Sequence, residues 1–492
     1  MNTPVIPNTT DVDDLAAVTG AEPTPDVSFQ PSWLDTAALE PFTLRSGARE
    51  WHGLRPAPQD WAEVGDGLRR AHEALRAIPV RRIVAAFDTA AELWAKRDFP
   101  ERRDTVRSAA AITGMSEETI DRALDGELSG LRAEHLLAAL ERELGVPEVL
   151  DGFERDERLR GSTTAIGPRV TLAVFSGNVP GLPVRSLVRA LLVKSALIAK
   201  IPAREPSFTA AFLRTLREVE PVVADAVVAV YWDRDDEANQ SAALEQADAV
   251  IAYGSDEACA AIRARVAPHQ VYEQHGHKLS FGVVSRAYLA ANGAAEVARR
   301  IAADTSELNQ HACLSPQVYL VEADREEANA LAGRVAEAMR AAAADFPPGD
   351  VPREDAVIVE HRRLLAGWRA ASSADAGVWV SEGDTDWTVV LDDALLPLSG
   401  AGNRVARLVV VPSLAAAVDA VRPYAKHLQN VGLGAVGEEF WQVSRELARL
   451  GASRIAAPGA MIGASMVWKH DGQPRIAGLL RWCDVENHPE VD

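Results

Sequence analysis

The residue with the greatest chemical reach in this sequence is Cys313, in the run Asn309-Gln310-His311-Ala312-Cys313-Leu314-Ser315-Pro316-Gln317. It is one of three cysteines, with Cys259 and Cys483. A thiolate is the strongest nucleophile that a protein makes from its own side chains. A polar approach before it and the apolar run Val318-Tyr319-Leu320-Val321 after it place Cys313 between a loop and a strand. Alone, such a residue is more often a small buried hydrophobe.

Other runs could complete a site. Ser176-Gly177-Asn178-Val179-Pro180 follows an apolar stretch. There the Asn178 amide could donate to a developing oxyanion, or simply cap a turn. Lys200-Ile201-Pro202-Ala203-Arg204-Glu205-Pro206 sets two cations, Lys200 and Arg204, where a ribose or phosphate could be held, or where solvent could take them. Gly254-Ser255 precedes a helical stretch and offers either an anion site or a plain N-cap. Gln274-His275-Gly276-His277-Lys278 suggests metal or acid–base chemistry, but no second His/Cys cluster has ligand spacing. We therefore expect a polar turn there and no metal. Gly432-Leu433-Gly434-Ala435-Val436-Gly437 fits GxGxxG. It is set aside because Tyr424 to Gln429 before it reads as helical and no acid stands near Ala456 and Ala457.

The elements that must position these residues follow from apolar periodicity. Residues 61–150 have helical spacing, with Ser116-Glu117-Glu118 after Gly114 as one helix start. From Arg169, short apolar strands alternate with amphipathic helices: strands near 170–175, 196–201, 226–231 and 249–253. Alternation of this kind predicts a parallel sheet covered on both faces. Ligands bind at the carboxyl ends of such strands, where Asn178, Lys200 and Ser255 fall. A second α/β section runs from about 296 to 423.

Bulk properties bound the function. At 492 residues the chain exceeds one ordinary core. A net charge of −20 argues against nucleic acid, whose phosphates need a basic face. Three cysteines make no disulfide framework, so a reducing cytoplasm is expected. No signal peptide is expected, and Arg185, Arg189, Lys194 and Lys200 interrupt the apolar stretch 182–202, so no membrane span is expected either. Residues 1–44 hold seven acidic residues, six prolines and no Lys or Arg, which predicts a disordered or surface-draped extension.

In order and spacing the motifs resemble the aldehyde dehydrogenase superfamily. Within it they are most similar to the acyl-CoA reductases related to the long-chain fatty acyl reductase of bacterial luminescence. Gly177-Asn178-Val179-Pro180, Gly276-His277-Lys278-Leu279-Ser280-Phe281-Gly282 and Gln310 to Gln317 carry this likeness. So do Leu450 to Ile455, His470-Asp471-Gly472-Gln473-Pro474 and Leu480-Arg481-Trp482. The resemblance implies an α/β fold of two Rossmann-type parallel-sheet lobes with a helical N-terminal section. The expected divisions are an extension (1–50), a helical section with an NADP-binding domain (51–285), a catalytic domain carrying Cys313 (286–425), and a C-terminal segment returning to the cofactor domain (426–492).

By the same resemblance Cys313 is the nucleophile and Asn178 the oxyanion donor. Lys200 meets the adenosine ribose, and Ser176, Gly177, Gly254 and Ser255 lie along the cofactor. The ribose-binding Glu of NAD-preferring members falls on Ala203, beside Arg204. Losing a carboxylate and gaining a cation favours a 2′-phosphate, hence NADPH. The superfamily's general-base Glu falls on Gln274, which cannot take a proton from water. That suits reduction of an acyl thioester, from CoA or an acyl carrier, to an aldehyde. The low thiol pKa of an activated cysteine is expected. Adjacent Glu273 leaves open an alternative, oxidation of an aldehyde to free acid, and an inactive acyl-binding partner protein is a second. An acyl-activating enzyme as partner and pairing of subunits are further implications of the resemblance.

Overall fold

The computed structural model describes residues 26–46, 49–373, 376–392 and 402–487. Residues 1–25 of the expected extension lie outside them. From residue 26 the chain is packed: Val27 and Phe29 are buried. Phe29 exchanges two backbone hydrogen bonds (2.8 and 2.9 Å) with Ala229. The hairpin Glu40–Ser46/Arg49–Arg55 straddles the boundary expected at residue 50.

Helices Trp61–Arg76, Val80–Trp94, Pro100–Thr113, Glu117–Ser129 and Ala133–Leu144 form the N-terminal section. Gly114, at φ +73°, ends one helix, and the Ser116 hydroxyl accepts from the Thr119 amide (3.1 Å) to begin the next. The apolar faces of this section share one core with the first sheet.

That sheet has five parallel strands in the spatial order Val227–Val230, Ala196–Lys200, Val170–Val174, Ala249–Tyr253, Val271–His275. Every residue of Val170–Val174 is buried, as expected of an apolar strand covered on both faces. Strand order reverses between Val170–Val174 and Ala249–Tyr253, which opens a crevice at their carboxyl ends.

The second sheet runs Gly377–Val380, Thr388–Asp392, Val405–Val411, Pro316–Glu322, Leu279–Val284, Leu428–Gly434, Arg454–Ala456. Only Gly377–Val380 is antiparallel to its neighbour. Separate apolar cores cover its two faces. The polar turn expected at Gln274–Lys278 narrows to Gly276-His277-Lys278, which leads into strand Leu279–Val284, while Gln274 and His275 end the unforeseen strand Val271–His275. Its polar alternation, with Glu273 and His275 inward, hid it from an apolar-run criterion.

Two further expectations are corrected. Strands Leu428–Gly434 and Arg454–Ala456 stay in the second sheet, so the return begins after Ala456 rather than at 426. It ends in Arg481–Val485, which pairs antiparallel with Gly161–Ile166. Second, a strand does precede the GxGxxG run and helix Gly437–Leu450 follows it. The glycines there are explained by packing: a Cβ at Gly432 would lie 2.5 Å from Met461 Sδ, and one at Gly434 2.7 Å from Tyr288 Cδ1. Among the described residues no helix is long and apolar enough to cross a membrane.

Candidate active site

The loop leaving Val170–Val174 carries Ser176, Gly177 and Asn178. The Ser176 hydroxyl donates to Asn178 Oδ1 (2.8 Å), which fixes the amide. Asn178 Nδ2 donates to the backbone carbonyl of His311 (3.1 Å), two residues before Cys313. The Asn178 side chain is otherwise exposed to the cleft. A Cβ at Gly177 would stand 3.0 Å from the Cβ atoms of both Pro202 and Arg204. Gly177 therefore lets the loops of two neighbouring strands close together.

Cys313 follows an unusual approach. Leu308, Asn309 and Gln310 have φ of +53°, +48° and +64°. Such left-handed backbone costs a non-glycine residue of order 1–3 kcal/mol and persists only where its surroundings over-determine it. Here they do. Asn309 Nδ2 donates to Pro348 O (2.8 Å), and its Oδ1 accepts from Arg404 Nε (2.8 Å). Gln310 Nε2 donates to Pro316 O (2.8 Å) and Val405 O (3.0 Å), while its Oε1 accepts from Val405 N (2.9 Å). The support is itself left-handed: Gly402, Asn403 and Arg404 have φ of +57°, +58° and +56°. A Cβ at Gly402 would lie 2.8 Å from His311 Cε1, so the ring seats where only glycine leaves room. Beyond the turn, Ser280 Oγ donates to Cys313 O (2.7 Å) and Asn430 Nδ2 to Leu314 O (3.1 Å).

Cys313 as a residue is half-buried, with its sulfur on the inner side. Burial pushes its pKa up to about 12, the Asp471 and Glu127 carboxylates add to the rise, and a hydrogen bond from the Gln429 side chain opposes it. This runs against the expected low thiol pKa, first because burial disfavours the thiolate and then because the charges near the sulfur are carboxylates.

Behind the thiol runs a chain of charges. Gln429 Nε2 donates to Asp471 Oδ1 (2.7 Å). Asp471 Oδ2 meets His275 Nδ1 (2.7 Å), and His275 Nε2 meets Glu273 Oε1 (2.8 Å). Arg189 grips Glu273 with two hydrogen bonds, one of them Nη1 to Oε1 at 2.6 Å. The His275 ring lies between Tyr253 (4.4 Å between centroids) and His470 (4.3 Å). Burial opposes a charge on His275, but Tyr253, Asp471 and Glu273 overcome it and hold the pKa at about 10. Burial likewise opposes the Glu273 charge, but His275 and Arg189 bring it down to about 2. Glu273 therefore fails as the base of the alternative reading, because so weak a base takes no proton from water near neutrality. Gln274, on the other face of the strand, is exposed. Ligating atoms of His275, His470 and Asp471 lie within 4.8 Å of one another. His275 Nδ1 faces Asp471 and its Nε2 faces Glu273, so the ring is clamped between two carboxylates.

The expected cofactor residues lie on successive strand ends. Lys200 Nζ is 5.3 Å from the Trp232 ring; burial lowers its pKa while Asp233 and Asp236 oppose the shift. Arg204 is exposed. The Ser255 hydroxyl caps its own helix by accepting from Ala258 N (3.2 Å), and Asp256 and Glu257 occupy the first turn. Gly254 N donates to His275 O (3.2 Å), tying that end to the clamp. Sequence reasoning assigned no role to Asn309, Gln310, Arg404, Gln429, Asp471 or Arg189. The signal for Gln429 was an amide pair, Gln429-Asn430, inside a fully buried strand.

A cysteine strand-end loop facing a doubly wound sheet through a donor amide defines an aldehyde-dehydrogenase-like fold. Similarity to solved structures agrees: indole-3-acetaldehyde dehydrogenase AldA of P. syringae, solved with NAD+ and IAA, superimposes with a TM-score of 0.67 at 12% identity, covering 97% of this chain and 99% of that one. Within that fold the chain belongs to the acyl-CoA reductase (LuxC) family, which it matches over residues 75–482. It is 26% identical over 249 residues to the long-chain acyl-protein thioester reductase of Aliivibrio fischeri, covering 49% of this chain and 50% of that protein. It is 21% identical over 423 residues to that of Vibrio harveyi, covering 84% of each. The first of these matches thus spans about half the relative's length.

Proposed function

We propose that this protein reduces an acyl thioester to the aldehyde with NADPH, through an acyl group held on Cys313. The observation that carries this reading is the hydrogen bond from Asn178 to the Cys313 loop, which puts a donor amide and a nucleophile in one cleft. Cys313 sulfur bonds to the thioester carbonyl carbon as the carbonyl electrons move to oxygen. Asn178 Nδ2 donates to that oxygen, a contact of the kind worth roughly 3–4 kcal/mol in a transition state. The carbonyl re-forms, the carbon–sulfur bond to the donor breaks, and the donor thiolate leaves with its electron pair and takes up the proton that the Cys313 thiol gives up on attack. Neither Glu273, locked by Arg189 and His275, nor exposed Gln274 supplies a base for water, so the acyl group is kept from hydrolysis.

The strand ends suit a dinucleotide: Gly177 lets its loop close against the Pro202–Arg204 loop, so Ser176 and Gly177 stand beside the strand end that carries Lys200 and Arg204. NADPH bound there supplies the reducing equivalent that converts the acyl group to the aldehyde oxidation level. Arg204 favours the 2′-phosphate, and Lys200 the adenosine ribose. Asp256 and Glu257 oppose a pyrophosphate at Gly254-Ser255, so the phosphates are held chiefly from the Ser176-Gly177 side. The donor is an acyl-CoA or an acyl-protein thioester, as the relatives' names suggest, and an acyl-activating enzyme would be its natural partner.

Mixing the protein with an acyl-CoA, without NADPH, should add the acyl mass to Cys313, and adding NADPH should then release aldehyde. Turnover without acylation of Cys313 would refute the mechanism. Free acid as the product would favour aldehyde oxidation, and acyl binding without turnover an inactive partner protein.

A further inference from the structure

Of the twelve large apolar side chains exposed among the described residues, five stand on one helix, Arg353–Ser372: Val357, Ile358, Leu364, Leu365 and Trp368. Leu364 is 71% exposed and Trp368 72%. Single exposed apolar residues are ordinary, but a cluster on one element marks a contact surface. The helix cannot roll this face inward. Val359 and Ala366, seven residues apart, are buried on its other side. Arg363 Nε donates to Thr388 Oγ1 (2.9 Å), and its Nη2 to Ser381 Oγ (2.9 Å) and Trp387 O (2.9 Å). Arg369 Nη1 donates to Asp392 Oδ1 (2.6 Å). These bonds fix the helix to strands Gly377–Val380 and Thr388–Asp392, on which it packs.

The exposed face has a period. Val357, His361, Leu364, Trp368 and Ala371 follow one another at alternating steps of four and three, and all are exposed. That is the spacing of a coiled-coil seam, and it runs opposite Val359 and Ala366. We infer that this helix packs against the same helix of a second copy of this chain, antiparallel, about a two-fold axis between His361 and Leu364. Val357 then meets the partner's Trp368, His361 the partner's Leu364, and Ile358 the partner's Leu365. Each of the five exposed apolar side chains gains a neighbour, and a small one faces a large one at both ends. Charge selects the same direction. Residues 353–360 carry three carboxylates and one arginine, and residues 361–372 three arginines and no carboxylate. Antiparallel packing sets the acidic half and the helix N-terminus against the basic half and the C-terminus, whereas parallel packing sets like on like. The five side chains expose roughly 500 Å², so pairing removes about 1,000 Å² from water, where specific interfaces begin. A two-fold contact uses the same patch on both copies and leaves no open end. A foreign protein or a lipid surface requires neither this self-matching register nor this division of charge. The inference uses no residue of the acyl-thioester reading and stands apart from it.

Sedimentation of the full chain at graded concentrations tests this. Leu364→Asp with Trp368→Asp puts two carboxylates into the seam at sites that are exposed in the single chain, so the melting curve should not move. The dissociation constant of the pair should rise roughly a hundredfold or more, the scale of losing hot-spot side chains from an interface. Equal masses for variant and wild type at every concentration, whether of one chain or of two, overturn the inference. A wild type of single-chain mass that associates only with added lipid vesicles or another protein overturns it too. Single thiols then test the register. His361→Cys and Leu364→Cys, each combined with Cys483→Ser, are mixed and oxidised with diamide. The mixture should form disulfide-linked chain pairs, with the peptides of positions 361 and 364 joined by mass spectrometry, several-fold faster than either variant alone. No excess over the separate variants overturns the antiparallel seam. Should the Asp variant unfold, the thiol mixture decides by itself.

Discussion

The two loops that meet in the cleft are built in opposite ways. The Ser176-Gly177-Asn178 loop is local: one hydrogen bond between residues two apart sets the amide, and a missing Cβ lets the neighbouring loop approach. The Cys313 loop is held from a distance, by Pro348, Arg404 and Val405, across two left-handed runs. A loop that presents a donor can stay exposed and simple. On the proposed chemistry the Cys313 loop must hold sulfur at a fixed point before a second reactant, and its bonds to several distant segments suit that demand.

The sharpest break in this comparison is Asn178→Ala. It should lower kcat for acyl reduction by roughly 10²–10³ with little change in melting temperature, because the loop loses a donor and no core. Steady-state NADPH oxidation beside a melting curve checks both halves. A large drop in melting temperature would mean that this loop too is a structural staple.

Gln310→Ala tests the other side. Three hydrogen bonds vanish and leave Val405 N–H, Val405 O and Pro316 O short of partners in a buried turn, so roughly 2–4 kcal/mol of stability should be lost. Urea unfolding measures it, and a loss under about 0.5 kcal/mol would show that the left-handed turn stands without its staples.

The charge clamp beside the Cys313 loop gives a pH signature. His275 sits at about 10 in the fold against an ordinary 6.5, so its contribution is complete below about pH 6.5 and is lost as pH rises through about 10. Glu273 sits at about 2 against 4.5, so its contribution is present above about pH 4.5 and disappears as pH falls through about 2. Stability should therefore decline from pH 6.5 to 10, and His275→Asn should flatten that decline. An equal decline in the variant would place its origin elsewhere.

The mildest effect is expected at Arg204, on the local side of the comparison. Arg204→Ala should raise KM for NADPH about tenfold and leave KM for NADH nearly unchanged. Equal shifts for both cofactors would remove Arg204 from the 2′-phosphate.

Much of this was legible in the sequence for a physical reason. Apolar strands such as Val170–Val174 and Ala249–Tyr253, buried on both faces, leave continuous apolar runs, and their carboxyl ends locate Asn178 and Ser255, as the end of Ala196–Lys200 locates Lys200. Cys313 was legible through its resemblance to a family. The upward push on the thiol was not, because it comes first from burial and then from Asp471 and Glu127, which reach it from far along the chain and leave no local pattern. The left-handed run Leu308-Asn309-Gln310 contains no glycine to mark it. Strand Val271–His275 was missed because its inward residues, Glu273 and His275, are charged and satisfied only by Arg189 and Asp471.

The C-terminal strand has a consequence for how the protein is made. Arg481–Val485 completes a sheet whose other strands, Glu154–Asp156 and Gly161–Ile166, lie before the whole second sheet in the chain. The second lobe is thus an insertion, its entry at His275 and its return at Asp471 joined by a hydrogen bond of 2.7 Å. Ribosomes add roughly 5–20 residues per second, so Gly161–Ile166 waits many seconds with one edge unpaired while the insertion emerges. The outer lobe's small sheet therefore stays incomplete until Arg481–Val485, which lies beyond the whole insertion in the chain, has been made.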